Sequence, residues 1–320
     1  MMSTSITRRE WMRNSAKSAL GIGLTAGLVG CDRNQLAESE ALAMRSAVGE
    51  GELFFQLSLA QWSLHRTFWG GLDNLEFASK ARTLGFSAVE YVNQFFADKG
   101  EDEQYLSQMK QRADDQGVTS VLIMVDGEGV MGHADESERL RAVDAHKKWV
   151  RAAKFLGCHS IRVNAQGKGE ADDVAARVID SLGTLASYAA SEGINIIVEN
   201  HGGYSSNGAW LADVMSQVGM ENCGTLPDFG NFTMSLFPRR RYDSYRGVAE
   251  MMPWAKGVSA KAYDFTGQGE DTVTDFKKML TVVRDAGYRG YIGVEYEGSR
   301  LSEEAGILAT RNLLLRYGKA

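Results

Sequence analysis

Beyond residue 52 the chain alternates two hydrophobic rhythms. Short, nearly continuous apolar runs occupy 53–60 (LFFQLSLA), 87–92 (SAVEYV), 119–125 (TSVLIMV), 160–165 (SIRVNA), 194–199 (INIIVE), 224–228 (GTLPD), 257–262 (GVSAKA) and 291–296 (YIGVEY). Runs of this length predict strands of a parallel sheet covered on both faces. Apolar residues with the spacing of a helix face follow them near 73–84, 102–116, 136–156, 171–192, 208–219, 243–252, 271–286 and 303–317. Glycine closes several of these stretches, at Leu156-Gly157, Glu192-Gly193 and Ala286-Gly287, where a left-handed residue would turn the chain toward the next strand. Eight such strand–helix units with right-handed crossovers close into a single-domain α/β fold, a (β/α)8 TIM barrel over 53–320. An open doubly wound sheet is the rival, but neither GxGxxG nor GxxxxGK[ST] follows the first strand.

The segment before the barrel obeys a different logic. Thr7-Arg8-Arg9-Glu10-Trp11-Met12-Arg13 precedes a Gly- and Ala-rich, weakly apolar run from Ala19 to Val29, too short for a comfortable membrane span. It ends in Leu28-Val29-Gly30-Cys31. Residues 1–30 therefore resemble a twin-arginine export signal with a lipoprotein cleavage box, which implies lipidation of Cys31. Residues 31–52 are polar and rich in Ala, Glu and Ser, and predict a flexible tether. The expectation is a protein held at the periplasmic face, touching the membrane only through its N-terminal lipid.

Composition narrows the partners. The 320 residues are 44% hydrophobic and 24% charged, which suits one large globular domain. Net charge is −6, and the first thirty residues carry Arg8, Arg9, Arg13 and Lys17 against Glu10, so the remainder stands at −9. That balance excludes nucleic acid as a natural partner. Cys31, Cys158 and Cys223 are too dispersed for a zinc motif or a disulfide framework. Oligomeric state is left open, a homo-oligomer included.

The polar residues at strand ends carry the candidate chemistry. In a parallel barrel these ends share one mouth. The first strand offers Gln61 and His65, the second Glu90, the fourth Arg162 and Asn164. Glu199, Asn200 and His201 follow the fifth, Asp228 and Asn231 the sixth, Lys261 lies on the seventh, and Glu295 with Glu297 ends the eighth. Ionisable groups in apolar strands are costly unless paired or bound to a cation, and hard carboxylate ligands suit a divalent ion. Trp62, Phe68 and Trp69 offer aromatic surface for a sugar ring or for ordinary loop packing.

IIVENHGG, LPDFGNF, VSAKAYDF and IGVEYEG, in that order, are similar to the metal-site strands of the xylose-isomerase-like sugar isomerase/epimerase superfamily. The resemblance implies that Glu199, Asp228 and Glu295 bind one divalent ion, Mn or Mg in the first place, Zn or Co otherwise. It also implies that Glu199 and Glu295 flank the sugar carbon whose proton moves. Two positions depart from the pattern. Ser259-Ala260-Lys261 stands where many members show His-x-Lys, and Asn231 where a histidine often follows the aspartate. The fourth ligand is then His201, Ser259, a water or a substrate oxygen, and an oxygen-rich shell favours Mg or Mn over Zn.

The expected partner is a small carbohydrate. The expected reaction is isomerisation or epimerisation by proton abstraction α to a carbonyl through a metal-bound enediolate, with Glu199, Glu295 and Lys261 as catalytic groups. His65, Glu90, Arg162, Asn164, His201, Asn231 and Glu297 are the expected substrate contacts. A lyase or dehydratase acting on keto-sugars or keto-glycosides shares the same enolate, and a non-catalytic lipid-anchored sugar-binding protein is the alternative of another class. The superfamily branch that cleaves DNA at abasic sites fits poorly, given five histidines and an acidic surface.

Overall fold

Eight parallel strands run side by side in the order β6-β5-β4-β3-β2-β1-β10-β9. They are β1 (Gln56–Ala60), β2 (Ala88–Val92), β3 (Thr119–Met124), β4 (Ser160–Asn164), β5 (Asn195–Glu199), β6 (Cys223–Leu226), β9 (Val258–Ala262) and β10 (Tyr291–Tyr296). Between β6 and β9 lies a small antiparallel pair, β7 (Thr233–Leu236) and β8 (Arg239–Arg241). The computed structural model describes residues 52–320. The expected export signal, Cys31 and the tether up to Gly51 lie outside the described residues.

The ring is completed between β6 and β9 by isolated parallel bridges rather than by a continuous ladder. Ser259 N–H donates to the Pro227 carbonyl at 2.9 Å, and Phe229 N–H to that of Ser259 at 3.1 Å. Pro227 has no N–H to give, so β6 stops at Leu226 and the chain opens toward Asp228. The eight expected strands are all present. The first begins at Gln56 rather than at Leu53, because Leu53 bridges antiparallel to Lys319 near the C-terminus.

Helices cover the outside. In the one spanning Glu136–Leu156, Asp135 accepts hydrogen bonds from the N–H groups of Ser137 and Glu138, and Gly157 ends the helix at φ +80°. Its buried face carries Val143, His146, Trp149, Val150, Ala153 and Leu156, the spacing expected of one stripe. The helix expected over 271–286 forms only over Phe276–Asp285. Ahead of it the Asp271 carboxylate accepts from Val273 and Thr274 N–H, folding 271–274 into a turn, and Asp275 caps the helix.

Side-chain alternation separates two apolar layers. Leu59, Val89, Ile123, Ile161, Ile196, Val198, Ala260, Ile292 and Val294 point outward into the core shared with the helices. Ala60, Ala88, Val92, Leu122, Met124, Ile197 and Leu226 form a second cluster inside the ring. Ser58, Glu90, Arg162, Glu199, Lys261 and Glu295 have the inward phase.

Candidate active site

Period-two alternation places the chemistry. On β9, Ser259 and Lys261 alternate with the outward Val258, Ala260 and Ala262; on β10, Gly293 and Glu295 alternate with Ile292, Val294 and Tyr296. Register then sets the level, with Glu295 beside Lys261 and Asn164 beside Glu199 in neighbouring strands. Glu199, Asp228 and Glu295 converge so that one oxygen of each lies within 4.8 Å of the others. It is the only such group of metal-capable side chains among the described residues. None of the three is more than 4% exposed.

Two buried cations answer them. Lys261 Nζ lies 3.1 Å from Glu295, 3.2 Å from Glu297 and 3.6 Å from Asp228. Burial alone would strip its proton, but these carboxylates outweigh that and hold its pKa well above the usual lysine value. It is therefore a fixed ammonium. Arg162 Nη1 bonds Asp126 at 2.7 Å, while its Nε lies 2.9 Å from Glu199. Burial would raise the pKa of Asp126, yet Arg162 and Asn164 hold it well below the ordinary carboxylate range.

The acids divide in character. Glu199 is pushed up to about 7, by burial against the opposing pull of Arg162. Asp228 is likewise pushed up to about 7 by burial, against Lys261. Glu295 is also buried, but Lys261 and Ser259 hold its pKa below normal. Asp228 is rigidly aimed: its Oδ1 accepts the N–H groups of Gly230 and Asn231, both at 2.8 Å. Asn231 Nδ2 donates to Glu199 Oε1 at 2.9 Å.

The site fits a hard divalent cation. Its donors are all oxygens, which suits Mg or Mn geometry more than a nitrogen- and sulfur-based zinc shell. Ser259 Oγ lies 2.8 Å from Asp228 and 2.7 Å from Glu295, but one hydroxyl has one proton and can satisfy only one of them. Glu199 Oε2 is buried with no hydrogen-bond partner, although Arg162 is close. A cation among these oxygens would satisfy both deficits.

A cavity of about 270 Å³ opens over this cluster, lined by Trp62, Asp126, Arg162, Glu199, His201, Glu295 and Glu297 among others. Glu297 is steadied by Trp62 Nε1, which donates at 2.6 Å. Asn164 Nδ2 donates to Asp126 at 2.6 Å, and its Oδ1 lies 3.1 Å from His201 Nδ1. Burial, then Arg162 and Lys261, lower the His201 pKa, so its ring is neutral at neutral pH. With Nδ1–H donating to Asn164, Nε2 keeps the lone pair.

Two expected contacts lie elsewhere. His65 sits on the short helix His65–Trp69, where its ring stacks on Trp62 at 5.0 Å and Nδ1 meets the Trp62 carbonyl at 2.7 Å. It steadies the aromatic wall rather than lining the cavity. Glu90 is fully buried deeper in the ring, bonded only by Ser58 Oγ at 2.6 Å, with Oε2 unpartnered. Asp126 went unread in the sequence. Its signal was its place just past the third apolar run, the position Asp228 holds after the sixth.

Fold and site together define a parallel-barrel protein with an acidic, cation-ready centre at the C-terminal mouth. The chain belongs to the xylose isomerase-like TIM barrel family, whose sequence model matches residues 78–317. It is similar to the crystal structure of a 3-keto-D-glucoside 4-epimerase from E. coli, at 16% identity and TM-score 0.62, over 83% of this chain and 99% of that one. A sugar phosphate isomerase/epimerase from Parabacteroides distasonis aligns at 15% identity and TM-score 0.64, over 85% and 98%. A xylose isomerase-like TIM barrel protein from Mycobacterium smegmatis in complex with magnesium aligns at 14% identity and TM-score 0.59, over 76% and 88%. No curated protein matches the sequence.

Proposed function

We propose that this chain is a divalent-metal-dependent sugar isomerase or epimerase that moves a proton from the carbon next to a carbonyl. One observation carries the reading: three buried carboxylates from β5, the loop after β6, and β10 meet within 4.8 Å at the mouth, beside a fixed ammonium. Glu199, Asp228 and Glu295 would hold the ion, with Mg or Mn favoured by the oxygen donors. When bound, it would polarise the sugar carbonyl and acidify the adjacent C–H.

The chain's own residues do the rest. Glu199, its Oε1 oriented by the Asn231 amide, is the group that takes the proton from the substrate carbon. Glu295 is held ionised by Lys261 and Ser259, and is the group that receives or returns a proton on the other side of the exchange. Lys261 stays charged and stabilises negative charge growing on the substrate oxygens. Arg162 and Asp126, paired, fix the wall that faces Glu199. Return of the proton to the same carbon gives epimerisation and to its neighbour isomerisation; loss of a β leaving group gives the lyase reading. A free or oxidised sugar, a keto-glycoside or an inositol-like polyol is the substrate class.

Export belongs to the same reading. Arg8-Arg9, the small-residue run and Cys31 support twin-arginine transport and lipid anchoring at the periplasmic face. Cys31→Ser should move the protein from the membrane to the soluble fraction, and unchanged attachment would refute lipidation. For the chemistry, the test is solvent deuterium incorporation into keto-sugars by metal-loaded protein. Glu199→Gln should slow incorporation by about 10²–10⁴ with the fold intact by circular dichroism; undiminished exchange in the variant would overturn the assignment.

A further inference from the structure

Next to the acidic chamber lies a larger one of opposite charge. It measures about 530 Å³ against about 270 Å³, and the two share His201. Its walls come from loops after β3, β4 and β5 and from the β7–β8 hairpin, all on the same mouth of the barrel. Lys168 and Arg240 line it, and none of its lining residues is acidic. Neither the Lys168 ammonium nor the Arg240 guanidinium is engaged by a described carboxylate. In a chain of net charge −6, two cations without a described carboxylate partner lining one cavity are a local inversion.

The rest of the wall suits a sugar. Tyr204 presents aromatic surface, its ring braced by Trp210 at 5.8 Å and its hydroxyl by the Gly169 carbonyl at 2.8 Å. Gln166 and Ser235 add neutral hydrogen-bonding groups. On β8 only the middle arginine of Arg239–Arg241 lines the cavity, as strand alternation requires, opposite Ser235 of β7. The volume alone lies within the roughly 300–1,000 Å³ range of small-molecule pockets, whereas the acidic chamber falls slightly below it.

We propose that this cavity is a second subsite, which takes an anionic group carried on a sugar unit away from the reacting carbon. The substrate is then an acidic glycoside rather than a neutral monosaccharide, its reacting ring over Glu199 and Glu295 and its charged unit between Lys168 and Arg240. A carboxylate or a phosphate meets the same pair, since guanidinium and ammonium bind either. This subsite rests on the isomerase reading for the placement of the reacting ring, but its charge preference can be measured without turnover.

Calorimetric titration of the metal-loaded protein with cellobiose, cellobiouronic acid and cellobiose 6′-phosphate separates the possibilities. At least one anionic disaccharide should bind about tenfold more tightly than cellobiose, as expected for a charge-assisted contact. Whichever it is distinguishes carboxylate from phosphate. Lys168→Gln and Arg240→Gln should each weaken that preference, and the double variant should abolish it. Equal affinity for all three, no binding of any, or a preference that survives in the double variant would overturn the subsite. Deuterium incorporation into keto-sugars, measured on the same protein preparation, keeps the two readings apart: a charge preference without keto-sugar exchange would sink the isomerase assignment and leave the subsite standing.

Discussion

Two depths of the barrel interior treat buried carboxylates in opposite ways. At the mouth, Glu295 has a lysine at 3.1 Å and a serine hydroxyl at 2.7 Å, and stays ionised despite burial. Below it, Glu90 has one serine hydroxyl and no cation in contact, and burial pushes its pKa up to about 8. Both side chains are almost fully enclosed. The difference lies in partners: desolvation is common to the two sites, and only the upper one supplies opposing charge. Glu90 also depends on Gly293, where a Cβ would come within about 2.5 Å of its carboxylate oxygens. The lower site is therefore a neutral acid packed beneath an ionic one.

Removing the upper cation should erase that distinction. Lys261→Met leaves Glu295, Asp228 and Glu297 without their ammonium, and breaking a buried ion network of this kind costs about 3–5 kcal/mol. Urea denaturation of the metal-free protein at pH 8 measures it. The loss should shrink toward pH 5, where the abandoned acids take up protons, and a pH-independent loss would show that Lys261 contributes packing rather than charge. A smaller effect sharpens the same contrast. With Glu199 and Asp228 both near 7, a cation entering below pH 7 must displace one or two protons. Mg or Mn affinity should fall about ten- to a hundredfold per pH unit below 6, and calorimetry in buffers of different ionisation enthalpy counts the protons released.

The sequence carried the barrel and the triad for a physical reason. Strands enclosed on both faces read as apolar runs, and a carboxylate ending such a run stands out because nothing else excuses it. Depth was harder to read. Glu90 sits mid-run in SAVEYV and looks like another strand-end acid until the β2 register puts it beside Ala60, below the rim. His65 is five residues past β1, and a single helical turn swings it onto Trp62. The β7–β8 pair left no apolar signature because β8 is three exposed arginines and β7 is half covered. It nevertheless delivers Arg240 to the outer cavity, so the least legible strands carry the proposed specificity.

The lower acid yields the mildest test. A folded-state pKa of about 8 against an ordinary value of 4.5 means that Glu90 keeps its proton in the barrel while the unfolded chain gives it up. Its contribution is fully present below pH 4.5 and drains away as pH rises through 8, at about 1.4 kcal/mol per pH unit between the two. Glu90→Gln keeps an acceptor for Ser58 and cannot ionise, so it should remove that slope from the pH dependence of unfolding free energy. Glu199 and Asp228, near 7, add to the slope of both proteins, so the difference in slope between the variant and the parent isolates Glu90. An unchanged slope between pH 7 and 8 in the variant would mean that Glu90 is ionised in the native barrel, and the two depths would no longer differ.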